Sequence, residues 1–301
     1  MEMETANKRL INEKSGLFIL IGLMGVGMVM GTTLSVIFWK LVGGNGMVDM
    51  QVALTNPEHV VFIRLSQTVL ALCIFFIPPV FAAWLISRRP FSYIGFKSKI
   101  SVQTFLWGCF LMAITILLSG SLASLNEMIP LTEQLKVYAQ AMEDSYMKQV
   151  ELMSAMNGIP DLVIAVLVMA LAPAIFEEVF FRGGFQNMMQ RATGKMWVSI
   201  LITSLLFSAI HFSFYGFLSR VALSIVLGLL YAHTQNIWMP IVAHFINNAM
   251  GVFQIYYLRV KGLPLSEATE DKYPIWWGLF TLIALIYFFK YFKQSANGIR
   301  S

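Results

Sequence analysis

The sequence predicts an all-α, polytopic integral membrane bundle of about eight transmembrane helices. Three observations carry that prediction. The 301 residues are 57% hydrophobic and only 12% charged, against the roughly 45–50% apolar share of soluble domains. Mean hydropathy is +0.70. The apolar residues also fall in runs of about 20, the length a helix needs to cross a bilayer. So many long runs cannot all lie inside one small globule, which sets aside a soluble enzyme with an outsized core.

The runs are read at Gly16–Leu41, Val60–Ser87, Val102–Leu125, Ile159–Phe181, Met196–Phe214, Phe217–His233, Trp238–Leu258 and Trp276–Phe292. No short apolar stretch with a cleavage site precedes the first run, so it is read as a retained helix. Its Gly27-x-x-x-Gly31 pair permits close helix approach and is assigned to packing. Cys73 and Cys109 fall inside the second and third runs. They are read as packing residues rather than a disulfide or metal framework. Between Asn126 and Gly158 the chain turns polar, yet Leu131, Leu135, Tyr138, Met142 and Met153 recur at near-helical spacing. Residues 126–158 are therefore expected to form an extramembrane amphipathic connector lying on the outer face. With no repeat and no soluble domain in evidence, residues 1–301 are expected to be a single integral membrane domain.

The net charge of +5 could suit nucleic acid, but the Lys and Arg are spread between helices instead of clustered, so the expected surroundings are a lipid bilayer and no nucleic acid. Lys8, Arg9, Lys14, Arg88, Arg89, Lys97, Lys99, Arg191, Lys195, Lys290, Lys293 and Arg300 alternate with an uncharged-by-base first outer loop, Val42–His59. That is the positive-inside pattern, and it assigns both termini to the cytoplasm of a plasma-membrane protein. Arg259, Lys261 and Lys272 run against it, offset by Glu267, Glu270 and Asp271. Arg64 and Arg220 are expected to snorkel, and His59 and His233 to sit at the interface.

Of the 16 acids, only Glu177 and Glu178 sit deep in an apolar run, where an uncompensated charge costs at least a few kcal/mol. Arg182 follows Glu178 by four residues, on the same helical face, and can pair with it; Glu177 points elsewhere. The other deeply placed polar groups are His211 in "FSAIH" and His244 with Asn248 in "HFINN". Phe207 and His211, like His244 and Asn248, are four apart and share a face. Glu177 lies 17 residues before Gly194 and His211 17 after it, so a turn at Gly194 would bring them to one depth, roughly 25 Å from that turn. His244 is only 8 residues past Asn236, which agrees only if that second turn is sunk into the protein.

Such a set could hydrolyse a bond. A carboxylate with an imidazole can deprotonate water, and neutral His and Asn donors can hold an oxyanion. Glu177, His211 and His244 could equally bind Zn²⁺. The bland alternative is that each polar group simply bonds a neighbouring helix. Two other functions remain open. A proton-coupled transporter would use the buried Glu and His as a relay, though paired broken helices in two repeated halves are absent. A non-catalytic membrane immunity or scaffold protein would use the cavity only to bind.

In order and spacing, Glu177-Glu178-x-x-x-Arg182, Phe207-x-x-x-His211 and His244-x-x-x-Asn248 resemble the motifs of the CPBP intramembrane proteases, the group that contains the CAAX prenyl endopeptidase and bacteriocin-processing relatives. The resemblance covers residues 159–251 and implies that this stretch is a catalytic core. It implies that Glu177 and His211 activate water, that His244 and Asn248 stabilise the oxyanion, and that Glu178 and Arg182 support the site. It further implies an endopeptidase acting on a membrane-associated peptide or protein, with a glutamate-dependent mechanism or a zinc-dependent one.

Overall fold

The computed structural model describes residues 10–97, 99–265 and 273–297. Lys8, Arg9, Glu267, Glu270, Asp271, Lys272 and Arg300, which enter the orientation reading, lie outside them. Every element among the described residues is helical: α1 (Glu13–Leu41), α2 (Met47–Ala53), α3 (Pro57–Ile86), α4 (Pro90–Ile94), α5 (Val102–Glu127), α6 (Glu133–Met153), α7 (Ile159–Thr193), α8 (Met196–Ala209), α9 (Phe217–Thr234), α10 (Trp238–Lys261) and α11 (Ile275–Asn297). The chain is an all-helical, multi-pass membrane protein.

Among the described residues six helices, α1, α3, α5, α7, α9 and α11, are long and apolar enough to cross a membrane. The two other expected spans fall short for different reasons. α8 is apolar but has only 14 residues, about 21 Å of helix for a hydrocarbon core of about 30 Å. α10 has 24 residues, but His244, Asn247, Asn248 and Gln254 lower its hydropathy. These two helices carry, or lead directly into, the second and third motifs.

The ends of the helices follow from local chemistry. Asn12 caps α1 by accepting from the Ser15 N–H at 2.9 Å, and Ser101 caps α5 through Thr104 N–H at 3.1 Å. α7 stops at Gly194, whose φ of 71° suits a residue with no Cβ.

The chain forms two compact units, residues 1–97 with 152–199 and residues 98–151 with 200–301. In the first, α1 and α7 both pack on α3. A Cβ on Gly27 would collide with the Cys73 carbonyl, and one on Gly31 would meet Leu70 Cα at 3.0 Å. The expected glycine pair is thus a backbone-to-backbone contact, α1 on α3. Arg64 is a correction. It does not snorkel: it is 3% exposed and donates to the carbonyls of Met153 at 2.9 Å and Ala155 at 3.1 Å, tying α3 to the start of the 152–199 segment.

In the second unit α5 is central, with α9, α10 and α11 around it. α11 runs antiparallel to α5, as the pairs Thr104–Ser295 (2.8 Å between hydroxyls) and Ser121–Pro274 (3.1 Å) show. Many large apolar side chains stay exposed, among them Phe18, Val29, Leu106 and Ile286, the surface a lipid solvent would cover.

Candidate active site

Glu177 and Glu178 belong to the first unit and are built on α7. This helix is not uniformly α. Its wider π-type turns occupy Val166–Leu171 and Val179–Gln186 and bracket an α-segment, Ala172–Glu178, that ends on the two acids. The first has a clear cause: Pro173 lacks an N–H and its ring crowds the carbonyl four residues back, so the ladder before it opens. The second contains Gly183 and Gly184, whose missing side chains admit Ile94 and Pro79. Such widened turns recur at functional sites.

Consecutive residues of a helix point about 100° apart, and the two acids differ accordingly. Glu178 is 0% exposed and its Oε1 accepts from Arg182 Nη1 at 2.8 Å, with Arg182 also 0% exposed. Glu177 is half-buried. The guanidinium therefore fixes Glu178 in the interior, while Glu177 occupies the more open face. Gln186 and Asn187, both buried, extend the polar lining one turn further, and Asn187 Nδ2 donates to the Tyr93 carbonyl at 2.8 Å.

His211, His244 and Asn248 belong to the second unit. The Phe207 ring lies 4.9 Å from the His211 ring and 5.7 Å from that of His244, centroid to centroid, so the two imidazoles gather about one aromatic side chain. His211 Nδ1 is 2.7 Å from the Phe207 carbonyl oxygen. A carbonyl only accepts, so Nδ1 carries the proton, and in the neutral ring Nε2 presents its lone pair. His244 is 3% exposed. Asn248, one turn on and half-buried, accepts from Asn247 Nδ2 on its Oδ1 at 3.2 Å, which leaves its own Nδ2 as a donor.

The turn after His211 is held tightly. Phe212 has φ 48°, a left-handed conformation unfavourable for a side-chain-bearing residue. Asn126 Nδ2 donates to Phe214 O at 2.9 Å while its Oδ1 accepts from Leu218 N at 3.1 Å. Ser213 Oγ donates to Glu143 at 2.8 Å, and Arg220 donates to Ser213 O. Sequence reasoning missed Ser213, which lies in the turn itself, and it missed Asn126 and Glu143 because they come from distant stretches that only folding brings to the turn. Arg220, expected to snorkel, instead stays partly buried, with its guanidinium carbon 5.8 Å from the Tyr146 ring centroid.

Within these described residues, no group of three or more His, Cys, Asp or Glu side chains gathers as a metal-binding set. The His211 Nε2 lone pair fits either a water proton or a cation.

All four expected catalytic residues, with Glu178 and Arg182, fall within residues 159–250, which match the family described as type II CAAX prenyl endopeptidase Rce1-like. This segment is similar to that family. The chain is also 35% identical over 120 residues to YpbD, an uncharacterized protein of Bacillus subtilis (strain 168), the match covering 38% of this chain and 57% of YpbD. The chain thus spans little more than half the length of that curated relative. No solved structure matches.

Proposed function

We propose that this protein is an intramembrane endopeptidase that hydrolyses a peptide bond of a membrane-associated peptide or protein. The observation that carries the proposal is the His211 contact: a ring whose Nδ1–H is committed to the Phe207 carbonyl at 2.7 Å offers its Nε2 lone pair as a base. The Rce1-like match over 159–250 supports the same reading, since that stretch contains every residue the reaction needs.

Water, oriented by Glu177 and His211, loses one proton to the Glu177 carboxylate while its other O–H donates to His211 Nε2, as its oxygen bonds to the carbonyl carbon of the scissile peptide. The carbonyl π electrons move to oxygen. Asn248 Nδ2–H and the His244 N–H donate to that oxyanion, contacts that strengthen as charge develops. The proton then passes to the amide nitrogen as the C–N bond breaks, giving an acid and an amine. Glu178 and Arg182 take no proton; they hold the face of α7 from which Glu177 projects. On the charge pattern, both termini lie in the cytoplasm and the membrane is the plasma membrane.

The test is to incubate the detergent-purified chain with a library of membrane peptides and identify products by mass spectrometry. Glu177→Gln keeps the shape of the side chain and removes the base, so cleavage should fall about 100-fold or more with the melting temperature unchanged. Turnover above about a tenth of the unsubstituted protein would overturn the assignment.

A further inference from the structure

A groove of about 380 Å³ opens on the second unit between α5 and α11, lined by Gln103, Leu106, Trp107, Phe110 and Phe288. Its size is that of a small-molecule site. Gln103, Leu106, Trp107 and Phe110 follow helical spacing along one face of α5. Phe288 closes the far wall, edge-on to Phe110 at 5.1 Å and stacked with Trp107 at 6.0 Å. Trp107 also stacks on Tyr291, 5.5 Å between centroids and 12° between planes. These contacts brace Trp107 on two sides, so the groove is a shaped feature of the protein.

The α11 side of the groove is basic. Lys290 Nζ lies 3.9 Å from the Tyr287 ring centroid and 4.8 Å from that of Tyr291, and an ammonium over an aromatic face keeps N–H donors for an anion. Lys293 is exposed one turn further along α11. In the antiparallel register, with Thr104 against Ser295, Lys293 is level with Leu106 and Lys290 with the turn of Phe110, so both flank the groove along its α11 side, and exposed Lys99 precedes its Gln103 end. The described acids of this unit are Glu127, at the opposite end of α5, and those of α6. α6 meets that opposite end, since its Glu143 bonds Ser213 beside the Asn126–Phe214 contact. The described acids of the unit therefore lie toward the end of α5 away from Gln103, an end that Lys136, Lys148 and Arg220 share. The groove also faces outward from two helices apolar enough to span a bilayer, with Trp and Tyr where interfacial aromatic belts lie.

We propose that this groove is a binding site for an anionic glycerophospholipid: an acyl chain lies along Leu106, Phe110 and Phe288 under Trp107, and the headgroup phosphate is held by Lys290 and Lys293. Apolar walls account for the chain and the basic flank for the charge. The site is independent of the proteolytic reading, because none of its residues belongs to the three motifs.

The experiment is native mass spectrometry of the full chain titrated with phosphatidylglycerol or phosphatidylcholine, on the unsubstituted protein, on Lys290→Gln/Lys293→Gln and on Leu106→Trp. Each lysine near a bilayer surface favours anionic lipid about fivefold, so phosphatidylglycerol should bind about 25-fold more tightly than phosphatidylcholine. The double lysine variant should bring the two lipids within about twofold of each other. Leu106→Trp fills the groove and should weaken both. Melting in phosphatidylcholine nanodiscs shows that the variants fold. Equal binding of the two lipids, or a preference that survives loss of both lysines, would overturn the site and leave only unselective boundary lipid.

Discussion

The Glu178–Arg182 pair allows the support assigned to it to be worked out as a number. Both side chains are 0% exposed and meet at 2.8 Å on one face of α7. Replacing Arg182 by Met keeps the volume of the stem and removes the guanidinium, so the Glu178 carboxylate remains in the interior without its cation. Breaking a buried pair from one side costs about 3–5 kcal/mol, most of it the penalty of the charge left behind. At about 2–4 °C per kcal/mol for chains of roughly this size, melting should fall by roughly 6–20 °C. Glu178→Gln should cost a similar amount. The double variant Glu178→Gln/Arg182→Met contains neither charge and should be more stable than the sum of the two losses implies, by about 2 kcal/mol or more. The assay is thermal melting in one detergent for all four proteins, followed by tryptophan fluorescence. Losses that add within about 0.5 kcal/mol, as they do for independent sites, would refute the reasoning, since two groups that do not interact cannot be one another's compensation.

Further expectations follow from the other parts of the molecule. Asn248→Ala removes one oxyanion donor and should lower kcat about 10²–10³-fold while KM hardly moves; a loss confined to KM would make Asn248 a substrate-binding residue. Metal analysis of the purified protein with His244→Ala alongside separates the two hydrolytic routes. Retained cleavage in the presence of chelator supports direct water activation, whereas stoichiometric zinc lost in His244→Ala assigns the imidazoles as ligands. Gly27→Ala drives a methyl into the Cys73 carbonyl and should destabilise by about 1–3 kcal/mol. Gly22→Ala, with nothing within 4 Å of its added Cβ, should be neutral or stabilising, and equal effects at the two positions would show that the α1–α3 approach is not tight.

What the sequence made legible has a common physical basis. Apolar runs, the i, i+4 spacing of Glu178 with Arg182 and of Phe207 with His211, and the turn at Gly194 all depend on neighbours along the chain, and each has its local counterpart in the structure. What was illegible depends on distant partners. Arg64 reads as an interfacial cation until the Met153 and Ala155 carbonyls are seen around it. Asn126 reads as the polar end of a span, yet it clamps the turn behind His211 with both ends of its amide. Two of the expected spans are shorter or more polar than the other six: α8 gives way to the His211 turn after 14 residues, and α10 carries a cluster of amides and an imidazole. The widened turns of α7 left only Pro173 and the Gly183-Gly184 pair as traces, and proline or glycine in a membrane helix has several structural outcomes.

Those widened turns bear on how relatives of this chain should be compared. A π-type turn accommodates one residue more than the α-turn it replaces, so a related helix that lacks the residue can regain regular α geometry there and still send its acids to the same side. The insertion or deletion that distinguishes two such chains then belongs inside the membrane-embedded helix, at 166–171 or 179–186. Forcing it into the flanking loops would slide one sequence against the other by a position and set Glu178 where Glu177 should stand, exchanging the acid committed to Arg182 for the one on the open face.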